Sequence, residues 1–208
     1  IVVLPQGFSG RPPPFRPRDM TEQNSPPDGP RGPMPAPDDF SRAPEKPLFA
    51  LLDRLSIRTT TVSHAKVFSV AESNLVKAHL PGGHTKNLFL KDKNGQLVLI
   101  SALGTSQLAL NQVHRVLGTQ RLSFTDAPTL WEALGVTPGS VTGFSVMNDQ
   151  ANRVRFVVEE ALLSHKTLNF HPLRNDMTTS ISREDFLGFA TATGHTVTRV
   201  DFTKLGAA

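Results

Sequence analysis

Thirteen of the 17 prolines in this 208-residue chain fall between Pro5 and Pro47, and that asymmetry limits the fold more than any other feature. Proline has no N–H to give to a helix or a sheet ladder, so residues 1–47 are predicted to be a proline-rich disordered tail. Only Pro81, Pro128, Pro138 and Pro172 lie beyond it. A folded domain is therefore expected over 48–208, long enough to bury one sizeable core. Within the tail, Pro14-Phe15-Arg16-Pro17 has minimal PxxP spacing, which chance explains in so proline-rich a stretch. Six Arg/Lys and six Asp/Glu cancel across 1–47, so the net charge of +4 belongs to the domain. A mildly basic domain permits a polyanionic partner without demanding one.

The chain has no cysteine. Disulfides, zinc–thiolate sites and thiol nucleophiles are excluded, and a reducing, cytoplasmic setting fits. No apolar run approaches the roughly 20 residues that cross a bilayer, so no membrane partner is expected. Ile1–Leu4 is too short for a signal-peptide core, and Met20 is an alternative start.

Local patterning predicts the elements. Pro47 suits the first turn of a helix through Leu55. Thr59–Ser63 is strand-like, and a short helix is predicted over 71–78, ended by Pro81-Gly82-Gly83. Asn87–Lys91 and Gln96–Ala102 flank the turn Asn94-Gly95 as a hairpin. Helical spacing follows over Ser106–Leu117, with Gly118 as a stop, and Asp126 caps a helix ending at Gly135. Val141–Met147 and Arg153–Val158 read as a second strand pair around Asn148-Asp149. Strands at Thr167–Phe170 and Thr178–Ile181, a helix capped by Ser182, and a strand Val197–Phe202 complete the pattern. Strands that come in hairpins and alternate with helices argue one mixed-sheet α/β domain.

Two polar clusters interrupt this pattern. In Pro81-Gly82-Gly83-His84-Thr85-Lys86-Asn87, paired glycines let a backbone approach a ligand closely. Lys86 is suited to a phosphate, and Asn87 offers both a donor and an acceptor. A helix end followed by a solvated lysine is the plainer account of the same residues. In Asn169-Phe170-His171-Pro172, the proline holds His171 extended, where it can meet a carbonyl or an amine. A core histidine bonded to backbone fits those residues equally well. His79 and His84 lack metal-site spacing. His64, His114, His165 and His195 have no motif context and read as surface residues.

The segments PGGHTKNLFLKDKNGQLVLISALG, RLSF, LGVTPGSVTGFSVMND and LNFHPLRNDMTTSIS, in that order, closely resemble the YbaK/ProX superfamily. Within it they are most similar to free-standing prolyl-tRNA editing proteins of the ProXp-ala type. The resemblance runs from about Leu48 to Phe202. It implies a trans-editing aminoacyl-tRNA hydrolase that frees alanine from mischarged tRNA-Pro and needs no cofactor or metal. Its partners would be the acceptor end of tRNA-Pro and, as a further candidate, prolyl-tRNA synthetase. Carried over by motif, Lys86 contacts the terminal adenosine, Asn87 is its active-site neighbour, and His171 helps hold the aminoacyl group. Arg121 faces the acceptor stem, and Gly82, Gly83, His84, Thr85 and Gly139 border the substrate. Many relatives have proline where this chain has Gly143, and glycine there is expected to loosen the loop beside the pocket. The same fold could serve a cysteine or serine substrate, or act as a non-catalytic tRNA- or synthetase-binding module.

Overall fold

The computed structural model describes residues 31–36, 39–64 and 80–206. The helix predicted over 71–78 and the PxxP segment lie outside them. Eight strands form one mixed sheet: β1 (Thr59–Ser63), β2 (Gly83–Asp92), β3 (Leu97–Leu103), β4 (Leu122–Phe124), β5 (Val154–Glu159), β6 (Thr167–Phe170), β7 (Met177–Ser182) and β8 (Thr198–Val200). Their order is β1-β7-β6-β2-β3-β5-β8, with β4 added beside β2. The hairpins β2–β3 and β6–β7 are antiparallel, whereas β2–β6, β3–β5 and β5–β8 are parallel. This is the mixed α/β architecture that the patterning predicts.

The helices are α1 (Glu45–Arg54), α2 (Leu110–Leu117), α3 (Ala127–Leu134), α4 (Glu160–Leu163) and α5 (Arg183–Ala192). The cap signals act as expected. Asp126 accepts from Thr129 N–H at 2.7 Å and Ser182 Oγ from Asp185 N–H at 3.0 Å. Gly118 and Gly135 end α2 and α3 in the left-handed conformation. The predicted hairpin turn is held by Asp92, whose Oδ1 accepts the N–H groups of Asn94 and Gln96 at 2.8 and 3.0 Å.

Alternation along the strands sorts the apolar side chains into two clusters, one on each face. Phe89, Leu99, Phe156, Phe170, Phe186 and Phe189 belong to one; Leu90, Val98, Ile100, Val157, Val113 and Leu117 belong to the other. Phe170 stacks on Phe186 with ring centroids 4.4 Å apart, and Phe144 meets Phe189 edge-on at 5.3 Å. Such ring pairs add about 0.5–1.5 kcal/mol each beyond the area they bury.

Three differences from the sequence reading stand out. Val141–Met147 is not a strand. Residues Gly143–Asn148 form a 3-10 turn, because Thr142 Oγ1 accepts from Phe144 N–H at 3.4 Å and Ser145 Oγ donates to the Thr142 carbonyl at 2.6 Å. The helix predicted from Ser106 begins at Leu110. The three-residue β4 and the one-turn α4 are too short to carry a period and escape sequence reading. Residues 47 and 48 both lie inside α1, and Arg31 and Gly32 touch the domain. Arg31 donates to the carbonyls of Glu132 and Asn148 at 3.0 and 2.7 Å, and Trp131 Nε1–H donates to Gly32. No helix among the described residues is long and apolar enough to cross a membrane.

His195 is not a surface residue. It is 5% exposed and its Nε2–H donates at 3.2 Å to Asp149, itself 2% exposed. Asp149 also accepts the N–H groups of Arg153 and Val154 at 3.1 and 2.7 Å. Burial pushes the Asp149 pKa up, but the hydrogen bonds from His195, Val154 and Arg153 outweigh it and hold the carboxyl below its ordinary value. A depressed carboxylate pKa stabilises the fold above the unfolded value near 4, and that stability drains as pH falls through the folded value. Asp149→Asn is expected to lower the unfolding free energy by about 2 kcal/mol at pH 7 and to flatten its acid limb. Urea unfolding of both proteins at pH 7 and pH 3 checks this. An acid limb of unchanged slope in the variant would remove Asp149 as its source.

Candidate active site

One edge of β2 is split. β3 lines the other edge from Thr85 to Lys91. On the split edge, β6 pairs only with Gly83 and His84, and β4 only with Leu90, Lys91 and Asp92. Among the described residues no strand pairs with the stretch between them, which contains Lys86 and Asn87. β6 ends at Phe170, so His171 stands at the mouth of this notch. The notch exists because β6 turns away after its parallel register Gly83↔Leu168, His84↔Asn169. Two residues further along each strand stand Lys86 and His171.

The notch is braced from beneath. Thr85 Oγ1 donates to the Asn169 carbonyl at 2.8 Å, bridging β2 to β6. Asn169 is buried: its Oδ1 accepts from Ser180 Oγ at 2.5 Å, and its Nδ2 donates to the Leu80 and Pro81 carbonyls at 3.4 and 3.3 Å. The latter bonds fix the turn before β2. His84 Nε2–H donates to the same Leu80 carbonyl at 2.8 Å. Sequence reasoning named Asn169 only as part of the His171 cluster and passed over Ser180; a buried amide in a four-residue strand is the signal that could have found the pair.

Strand alternation sends Lys86 and Asn87 to opposite faces. Asn87 lies across from Ser101, whose Oγ–H donates to Asn87 Oδ1 at 2.7 Å. Lys86, on the face of His84, donates through Nζ to the Ser106 carbonyl. The adjacent pair therefore does not point together into one hollow. The two residues flank the notch from either side of the sheet.

His171 sits at the start of a loop held at several points. Its Nδ1–H donates to the Met177 carbonyl at 2.8 Å, the backbone bond that the plainer sequence reading anticipates. Arg174 grips Asp176 through two hydrogen bonds of 2.6 and 2.7 Å and reaches Glu45 on α1 at 3.1 Å. His64, read from sequence as a surface residue, comes within 6.3 Å of the His171 ring and shares a 2.9 Å hydrogen bond with Thr178. Burial pushes the His171 pKa down, the bond to Met177 opposes this, and the nearby imidazoles of His64 and His84 push it lower again. A neutral ring with Nδ1 protonated carries its lone pair on Nε2, making that atom an acceptor.

The glycines have a packing role. Gly82 lies at φ +119°, and a Cβ on it would sit 2.4 Å from the Thr167 carbonyl oxygen; one on Gly83 would meet the His165 ring at 3.0 Å. Close approach to β6 and its neighbours thus accounts for both residues without a ligand. Gly139, at φ +89°, abuts Asn175 in the loop after His171. Gly143 is not loosened as expected. A Cβ there would lie 2.8 Å from Phe170, 3.0 Å from Phe186 and 3.0 Å from Ser101 Oγ.

Arg121 stands apart from the rest. It is exposed and precedes β4, beyond the Asp92 end of β2, about 20 Å along the strand from Lys86. A separate polar hollow of about 510 Å³ opens at that end, with Asp92, Gln120, Arg153 and Arg155 in its wall. Among the described residues, no group of three or more His, Cys, Asp or Glu side chains is placed to hold a metal.

Residues 64–189 match the model of the aminoacyl-tRNA editing domain. The chain is 40% identical over 149 residues to the mouse prolyl-tRNA synthetase associated domain-containing protein 1, covering 69% of this chain and 88% of that protein. It is 30% identical over 155 residues to the prolyl-tRNA editing protein ProX of Acetoanaerobium sticklandii, covering 74% and 94%. A crystal structure of a candidate trans-editing enzyme for prolyl tRNA synthetase shares the fold, with a TM-score of 0.60 at 16% identity over 76% of this chain and 96% of that one. With the family model spanning the split edge of β2 and the loop beyond His171, the chain belongs to the aminoacyl-tRNA editing domain family, within the YbaK/ProX superfamily.

Proposed function

We propose that this protein is a trans-editing deacylase that hydrolyses alanine from mischarged tRNA-Pro. The observation that carries the reading is His171, a half-buried imidazole at the mouth of the β2 notch with its Nε2 lone pair unclaimed by the Met177 bond. The chemical need is general. A pocket shaped for proline discriminates against a smaller apolar residue by only about 10–200-fold, so a second site that accepts the smaller residue lowers the error.

In the proposed reaction Nε2 of His171 accepts a hydrogen bond from the aminoacyl ammonium and fixes the ester in the notch. A water oxygen bonds to the ester carbonyl carbon, the bond to the ribose oxygen breaks, and that oxygen leaves with a proton as the terminal hydroxyl. Asn87 keeps an amide N–H for the developing oxyanion, since its one donation among the described residues, to Thr85, is long at 3.4 Å. Among the described residues Lys86 gives one of its three N–H donors to Ser106, which leaves two for a phosphate of the terminal nucleotide. Arg121 meets the RNA backbone farther from the reacting end. Positioning carries most of the rate in this scheme. The associated-domain name of the mouse relative makes prolyl-tRNA synthetase a second proposed partner.

Ester loss from Ala-tRNA-Pro, Cys-tRNA-Pro, Ser-tRNA-Pro and Pro-tRNA-Pro tests the reading. Alanine release with prolyl ester preserved is expected; faster cysteine or serine release would reassign the substrate, and no release from any of them would leave a binding module. His171→Ala is expected to lower kcat about 100-fold, whereas Lys86→Ala mainly raises KM. Because the His171 pKa is depressed, the ring stays neutral as pH falls from 7.5 to 6.5, and its contribution to kcat/KM is expected to hold across that range. A single-turnover pH series of wild type against His171→Ala measures it, and a decline centred at or above pH 6.5 would contradict the neutral-acceptor role. Arg121→Gln is expected to weaken tRNA binding and reduce the salt slope of log K by about one, with kcat unchanged; filter binding across a salt series decides this.

A further inference from the structure

Glu159 is a buried carboxylate, 2% exposed, that the proposed mechanism does not use and that has no cationic partner among the described residues. A carboxylate in that position is costly unless specific donors face it. Two donors do, on a single oxygen: Leu103 N–H at 2.7 Å and Ser106 Oγ–H at 2.8 Å reach Glu159 Oε2. These residues bracket a tight turn closed by Ser106 N–H to the Leu103 carbonyl at 2.9 Å. Gly104 N–H ties the same turn to the His84 carbonyl on β2 at 2.7 Å. Ser106 then offers its own carbonyl to Lys86 Nζ.

We propose, resting on the reading of Lys86 above, that Glu159 is a positioning residue for substrate binding. The last residue of β5 fixes the Leu103–Ser106 turn, the turn fixes the Ser106 carbonyl, and that carbonyl anchors the lysine ammonium at the notch. Without the carboxylate, the Ser106 side chain and the Leu103 N–H lose their common acceptor, and Lys86 loses a fixed partner. The ligand this arrangement serves is the phosphate of the terminal nucleotide, an anion that a freely swinging ammonium binds with a larger entropy cost.

The test is a double-mutant cycle read with two probes. Glu159→Ala and Ser106→Ala are each expected to raise KM for Ala-tRNA-Pro about tenfold with kcat within about threefold, a ratio equivalent to one lost hydrogen bond to a charged group. Glu159→Gln retains an oxygen for both donors and is expected to restore most of the loss. On a Lys86→Ala background neither alanine variant should lose anything further, because the path ends at that lysine. The second probe needs no activity: the NMR signal of the Lys86 side chain, assigned by its loss in Lys86→Ala, should shift and sharpen in Glu159→Ala and Ser106→Ala. Ser106→Ala sits in a partly exposed turn and keeps the test decisive if Glu159→Ala fails to fold. Equal losses with and without Lys86, or an unmoved Lys86 signal in Ser106→Ala, would overturn the proposal. Absence of deacylation in wild type with a shifted Lys86 signal would instead refute the activity while leaving the anchor intact.

Discussion

The architecture depends on a sheet that stops being continuous. β2 is ten residues long, yet among the described residues its split edge is paired only at its two ends, by β6 at the start and β4 at the finish. A strand edge with no neighbour has backbone groups that demand partners, and proteins usually cover or blunt such edges. Among the described residues the open stretch is internal, flanked by paired strand on both sides. The surrounding bonds read as reinforcement of that opening: Thr85 to Asn169 across the break, Asn169 to Ser180 and to the Pro81 turn, and Arg174 with Asp176 and Glu45 behind the His171 loop.

The two faces of β2 divide the work. Alternation means that adjacent residues cannot share a side, so the Lys86–Asn87 pair acts only if the guest lies across the strand edge and is touched from above and below. For the proposed substrate, that geometry would set the anionic phosphate and the polar ester of a nucleotide end at different heights. It also separates the electrostatics, since the lysine anchor leans on the Ser106 turn while the amide leans on Ser101.

Much of the scaffold was legible in the residues. Asn94-Gly95, Asp126, Ser182, Gly118 and Gly135 mark turns and caps through chemistry within three or four positions of themselves, and each does so in the structure. What escaped depends on distant partners. Gly143 reads as a loose joint until Phe170 and Phe186 close on it; His195 reads as surface until Asp149 arrives from 46 positions away. The motifs located His171 and Lys86 in sequence, but not the turn of β6 that opens the notch, nor His64 beside it. At Gly82 and Gly83 the motif coincides with close packing against Thr167 and His165, a constraint that reaches across to β6 and its neighbours and that the glycine pair alone does not reveal.

Gly143 joins the two sides of the opening. The vacancy left by its missing side chain is shared by Ser101, which holds Asn87, and by Phe170, the immediate neighbour of His171. A methyl group at that point would push on both walls of the opening at once. Size at this one hidden position is thereby tied to the seating of Asn87 and of His171 together, through side chains that precede or hold them.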